Sequence, residues 1–239
     1  MILNANGITL DYFNKFLIDI ENYIEDKEVE NINVAVSFSG GIDSSLTMYC
    51  LCKTILEFNR QKEVTVYAFN ANVLDYEFDE VSKTPTLNCY EVITEMFPDI
   101  QFGGVHLYDI SGIPKGQEKT PLLRKARNQF QVDYNIDRIL LGSTKNPPVG
   151  ASVEIDEAIS KDKVLQQRYR EEDLPFKNEP FAKVDKSFLA EIYKQEDLMY
   201  DLYPYTVSCV DMGKIGPCKK CYWCHEKKWS FGMYDGGVR

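Results

Sequence analysis

No stretch of this 239-residue chain approaches the roughly 18 apolar residues that a membrane-spanning helix needs. Its longest apolar runs are strand-sized, so no membrane partnership is expected. Met1 to Asp19 contain no basic segment leading into an apolar one, which argues against export through a signal peptide. Basic charge is also in deficit. Against 37 acidic side chains stand 27 basic ones, a net charge of −10, which disfavours a chain that grips nucleic acid through many phosphates. One local group of cations, Lys214, Lys219, Lys220, Lys227 and Lys228, reads as a solvated surface. Internal repeats and low-complexity linkers are missing too, so no independent domains are expected.

What is present suits one α/β domain: 44% of the residues are hydrophobic, enough for a full core. The seven cysteines fall into two unlike groups. Cys50, Cys52 and Cys89 sit in apolar helical sequence, where free thiols are commonly inert. Cys209, Cys218, Cys221 and Cys224 cluster near the end of the sequence. An odd total and this clustering favour reduced thiols and a metal site over disulfides, and hence a cytoplasmic setting.

Periodicity predicts a helix over 9–27, where Leu10, Phe13, Phe16, Leu17, Ile20 and Ile24 recur at helical spacing. A β-branched strand over 32–38 follows, then a turn at Ser39 to Asp43 and a helix from Ser44 to Phe58. Further strands are predicted over 64–70, 102–108 and 138–142, with helices over 84–96 and 120–134 between them. Such alternation implies right-handed crossovers and a doubly wound parallel sheet. Beyond the Pro147-Pro148 loop, helices are predicted over 155–169 and 186–194.

The turn after the first of these strands reads Ser39-Gly40-Gly41-Ile42-Asp43-Ser44. In a parallel sheet, ligands gather beyond the carboxyl ends of the strands. Two glycines let the backbone approach a phosphate closely, and the following helix offers free N–H groups and its dipole. Ser39, Ser44 and Ser45 add hydroxyls, and Asp43 suits Mg2+ shared with a phosphate. No lysine of the GxxxxGK[ST] loop is present, so γ-phosphate chemistry is not indicated. Cys209-x8-Cys218-x2-Cys221-x2-Cys224 offers four thiolates, a closed tetrahedral set for structural Zn2+. An iron–sulfur cluster, or His225 in place of one cysteine, are the alternatives.

The Ser-Gly-Gly-x-Asp-Ser loop resembles that of the PP-loop ATP pyrophosphatases. With the cysteine spacing, the chain over about residues 32–229 resembles the 7-cyano-7-deazaguanine synthase (QueC) family. Arg127-Asn128 and Pro180-Phe181 followed by Lys186 are weaker matches to that family. The resemblance implies an N-terminal helical extension (1–30), an ATP-binding α/β domain (31–205) and a four-cysteine zinc segment (206–239) packed on it. It implies ATP contacts from Ser37, Phe38, Ser39, Gly40, Gly41, Asp43, Ser44, Ser45, Asn70, Arg127 and Gly142, with Ser39, Asp43 and Lys186 in the chemistry. It also implies a carboxylate substrate, 7-carboxy-7-deazaguanine, activated as an adenylate with release of pyrophosphate, and a homodimer of the kind common in the family.

Two segments depart from the family. Asn70 to Tyr76 lacks its Tyr-Gly-Gln-Arg-His run, and Gly142 to Pro148 lacks its aspartate-rich loop ending in Tyr-Pro-Asp-Cys. Both would rim the second-substrate cleft, so the nucleophile is open between ammonia and an amine of a protein or other macromolecule. The same loop fits two other readings, a PP-loop tRNA thiolase and a nucleotide-binding scaffold without turnover.

Overall fold

The computed structural model describes residues 1–12, 31–72, 78–110, 120–162, 165–166, 179–210 and 216–236. Strands β1 (Ile2–Ala5) and β2 (Ile8–Asp11) form an antiparallel hairpin with Ala5 opposite Ile8. The turn between them is Asn6-Gly7, with φ of 52° and 73°. This pair favours a primed turn, whose twist matches that of the flanking strands. The helix expected from residue 9 is therefore corrected at Thr9, Leu10 and Asp11, which are extended. Residues 13–27 of that expectation lie outside the described residues. Leu3, Ala5 and Leu10 are buried in the main core, so the hairpin is docked. Gln195 Nε2 donates to the Asn4 carbonyl at 2.9 Å and ties it to the body.

The body alternates as the periodicity predicts: β3 (Ile32–Ser37), α1 (Ile42–Glu57), β4 (Val64–Asn72), α2 (Phe78–Met96), β5 (Gln101–Asp109), α3 (Thr120–Asp133) and β6 (Arg138–Leu141). The four strands β3 to β6 form one parallel sheet in the order β5-β4-β3-β6. Alternate residues of β3 serve opposite faces. Val34 and Val36 pack with Leu46 and Ile55 of α1 and with Cys89 and Ile93 of α2, whereas Ala35 packs with Ala126 and Phe130 of α3. Helices on both faces make this a doubly wound α/β fold. The buried Thr47 and Thr54 of α1 return their hydroxyls to the carbonyls of Asp43 and Cys50, at 2.8 and 2.7 Å.

Helix α2 begins six residues before the expected Thr84 and contains Pro85. Beyond β6 lie α4 (Val153–Lys161), α5 (Lys186–Gln195), α6 (Leu198–Asp201), a 3-10 turn (Tyr203–Tyr205) and α7 (Tyr222–Phe231). The Ser152 hydroxyl caps α4, and Asp162 breaks it in extended backbone; Leu165 and Gln166 are helical again, and 163–164 and 167–169 of the expected helix lie outside the described residues. Among the described residues, no helix is long and apolar enough to cross a membrane.

Candidate functional site

The turn from β3 into α1 is held open by its own hydroxyls. The Ser39 N–H donates to Ser44 Oγ at 3.2 Å, and the Gly41 N–H donates to Ser39 Oγ at 3.3 Å. Gly41 is the N-cap of α1, and no side chain caps the helix. The 16-residue helix therefore opens with backbone donors unspent on a side chain, the arrangement that binds anions. Gly40 has φ +71°, and a Cβ there would lie 2.5 Å from the Pro85 carbonyl carbon. A Cβ at Gly142 would lie 2.6 Å from the Ser44 nitrogen, so the end of β6 abuts the same helix start. Phe38 is buried and donates its N–H to the Phe69 carbonyl, while Ser37 closes β3 between Phe69 and Leu141. Asn70 donates to Thr86 Oγ1 at 2.7 Å and joins β4 to α2 behind the loop.

Ser45 sits one residue deeper in α1 than Ser44. It is fully buried, and its N–H closes the first helical turn onto the Gly41 carbonyl. Arg127 is carried by α3 on the other face of the sheet. Its charge acts on the Glu179 carboxyl, which burial pushes up and Arg127 partly draws back down.

Lys186, the first residue of α5, is brought to the loop. Its Nζ lies 3.5 Å from Asp43 Oδ2 and 2.7 Å from Glu226 Oε2, and the side chain is buried. Trp223 places its ring 5.3 Å away. The Asp185 carboxylate caps α5 by accepting the Ser187 N–H at 3.0 Å, which fixes the backbone from which Lys186 projects.

The C-terminal cysteines converge: the Sγ atoms of Cys209, Cys218, Cys221 and Cys224 lie within 4.8 Å of one another, and His225 is not among them. Burial pushes the Cys218 thiol up, but N–H groups of Lys220 and Cys221 aimed at its sulfur outweigh that and bring it down to about 7. Four thiolates this close repel one another unless a cation sits between them, so the donor set fits a metal ion. Purified protein is expected to carry about one equivalent of metal through these four cysteines. Cys224→Ser should lose it, as measured by inductively coupled plasma mass spectrometry. Retention of a full equivalent would show that the ion sits elsewhere.

The cysteine segment is welded to the phosphate loop. The Val207 N–H donates to the Gly40 carbonyl at 3.0 Å. Asp235 accepts the N–H groups of Ser208 and Cys209, the latter at 2.8 Å. Lys227 contacts Asp235 and lies 3.1 Å from the Thr206 carbonyl. Lys227 is thus fully buried, not part of a solvated basic patch, and burial lowers its pKa. Glu226, Lys227 and Asp235 were not legible as site residues. Glu226 and Lys227 carry one sequence signal, a charged pair just beyond Cys224 and His225, and Asp235 carries none.

No protein family's sequence profile matches the chain, and no curated protein matches it. Solved structures that match include the U34-tRNA thiolase NcsA from Methanococcus maripaludis with its [4Fe-4S] cluster. That match has 15% identity and a TM-score of 0.44 over 90% of this chain and 70% of that one. NAD+ synthetase from Burkholderia pseudomallei matches at 10% identity and a TM-score of 0.44, over 93% of this chain and 81% of that one. At this depth neither likeness assigns a substrate or product to the chain.

Proposed function

We propose that this chain is an adenylating enzyme of the PP-loop type that activates a carboxylate, 7-carboxy-7-deazaguanine, by cleaving ATP to AMP and pyrophosphate. The observation that carries the reading is the uncapped start of α1 behind the Gly40 turn, with Asp43 and the buried Lys186 beside it. A substrate carboxylate oxygen attacks the α-phosphorus of ATP. The bond to the bridging oxygen breaks, and pyrophosphate leaves with the electron pair. An amine nitrogen then attacks the acyl carbon and loses a proton, and AMP departs with the former carboxylate oxygen.

The α1 N–H groups and the Ser39 and Ser44 hydroxyls hold the charge that develops on the leaving pyrophosphate. Lys186 adds a fixed cation, and Ser37, Phe38, Gly41, Asn70 and Gly142 shape the nucleotide's seat. Asp43 would hold Mg2+, which when bound screens the phosphates from the approaching carboxylate. The four-cysteine set would hold Zn2+ as a structural ion. With Zn–S bonds of about 2.3 Å, tetrahedral sulfurs stand about 3.8 Å apart, close to the 3.9 Å between Cys218 and Cys224. A cluster of several irons and sulfides spreads its ligands wider.

Burial opposes the sulfur-transfer reading. Cys50, Cys52 and Cys89 are fully buried, and burial pushes the Cys89 thiol up to about 11. The rim loop after β6 is also spoken for: Asn146 donates to the Leu165 carbonyl at 2.8 Å and lies 3.0 Å from the Tyr222 hydroxyl. That altered rim supports an acceptor other than ammonia, an amine of a macromolecule, giving an amide-linked deazaguanine. The test is incubation with ATP, 7-carboxy-7-deazaguanine and ammonium, following pyrophosphate and product mass. Pyrophosphate release with little nitrile is expected. Efficient nitrile formation would sink the macromolecular acceptor, and no pyrophosphate would sink the substrate.

A further inference from the structure

Helix α7 leaves the cysteine cluster and drives two adjacent charged residues, Glu226 and Lys227, into the interior, both fully buried. Lys227 is explained by its bonds to Thr206 and Asp235. Glu226 is not part of that staple, nor of the cysteine set. Its Oε2 lies 2.7 Å from Lys186 Nζ, nearer than the 3.5 Å that separates the same ammonium from Asp43 Oδ2. The other oxygen, Oε1, lies 3.0 Å from the Tyr222 hydroxyl one turn earlier on α7. The Trp223 ring, 5.3 Å from Nζ, attracts the ammonium as well.

Two described carboxylates thus share one cation in a water-poor space, where attraction grows steeply as separation falls. An ammonium that closed on Asp43 would occupy the carboxylate and repel any divalent ion approaching it. We propose that Glu226 is a positioning residue of the phosphate site: it draws the shared Lys186 ammonium towards itself, weakens its hold on Asp43, and so eases the approach of a divalent cation to that carboxylate. The inference rests on the proposed nucleotide site and concerns what keeps that site ready for its metal. Without the Glu226 charge, nothing opposes the pull of Asp43 on the ammonium from that side, and the pair at 3.5 Å tightens.

The test uses Mn2+ in place of Mg2+ and α,β-methylene-ATP, which resists cleavage between the α- and β-phosphates, with free Mn2+ followed by electron paramagnetic resonance. Glu226→Gln keeps the side chain's shape and removes its charge. It is expected to weaken Mn2+ binding about tenfold, and a Lys186→Met background should reduce that penalty to about twofold or less, because the competing ammonium is gone. Pyrophosphate release by Glu226→Gln should recover as Mg2+ is raised, which a merely misfolded variant would not do. If Glu226→Gln fails to fold, Tyr222→Phe, alone and with Lys186→Met, runs the same cycle with an expected weakening of about threefold. Wild-type protein that binds no Mn2+ with the nucleotide overturns the phosphate-site reading and this inference with it. Normal wild-type binding with an undiminished variant, or a penalty that persists without Lys186, overturns the inference alone.

Discussion

Replacing Gly40 with alanine is expected to abolish nucleotide-dependent pyrophosphate release and to lower stability by about 3 kcal/mol. Two costs combine. The residue sits at φ +71°, and the new methyl would meet the Pro85 carbonyl carbon at 2.5 Å and the Thr86 nitrogen at 2.6 Å. These are backbone atoms inside α2, so relief requires the loop and that helix to separate. Separation would also strain the bond from the Val207 N–H to the Gly40 carbonyl, which carries the cysteine segment. Gly7→Ala is the control. It has φ +73° but nothing within 4 Å of the added methyl, so it should cost only about 1 kcal/mol and leave turnover intact. Thermal melts and a coupled pyrophosphate assay on both variants measure the difference.

Lys186→Met is expected to have the second large effect. It would leave the carboxylates of Asp43 and Glu226 facing a space from which their shared cation has gone. Breaking one side of a buried pair costs about 3–5 kcal/mol, and lowered turnover of about a hundredfold should accompany it. The stability loss has an internal check. Adding Glu226→Gln removes one of the stranded charges, so the double variant should melt above Lys186→Met, although its turnover stays low. Equal melting temperatures would mean that Glu226 does not share the cation in solution.

Much of the architecture could be read from the chain because its signals are local. The β-branched run at Ile32 to Ser37, the Gly40-Gly41 turn and the periodic helix behind it occupy consecutive residues, and they appear where expected. The cysteines were legible for the same reason, three of them falling within seven residues. Helical spacing alone does not show the hairpin because Leu10 fits both periods; its local signal is the Asn6-Gly7 turn. Tertiary context decided the matter by burying Leu3, Ala5 and Leu10 on one face.

The buried charges could not be read at all. Glu226 finds Lys186, and Lys227 finds Thr206 and Asp235, through chain reversals that no local pattern encodes. A lysine-rich run looks like a solvated face in sequence, and only packing shows that Lys227 turns inward while Lys228 stays exposed. Arg127 lies on the third helix of the sheet domain, as its motif match implies, and its charge acts on Glu179.

Phosphorus NMR of ATP consumed with 7-carboxy-7-deazaguanine is the decisive experiment for adenylation, because it identifies which phosphate bond breaks. Pyrophosphate and AMP, the latter free or as the acyl-adenylate, are expected in equal amounts, appearing only with the carboxylate present and lost in Gly40→Ala. ADP with orthophosphate would refute adenylation.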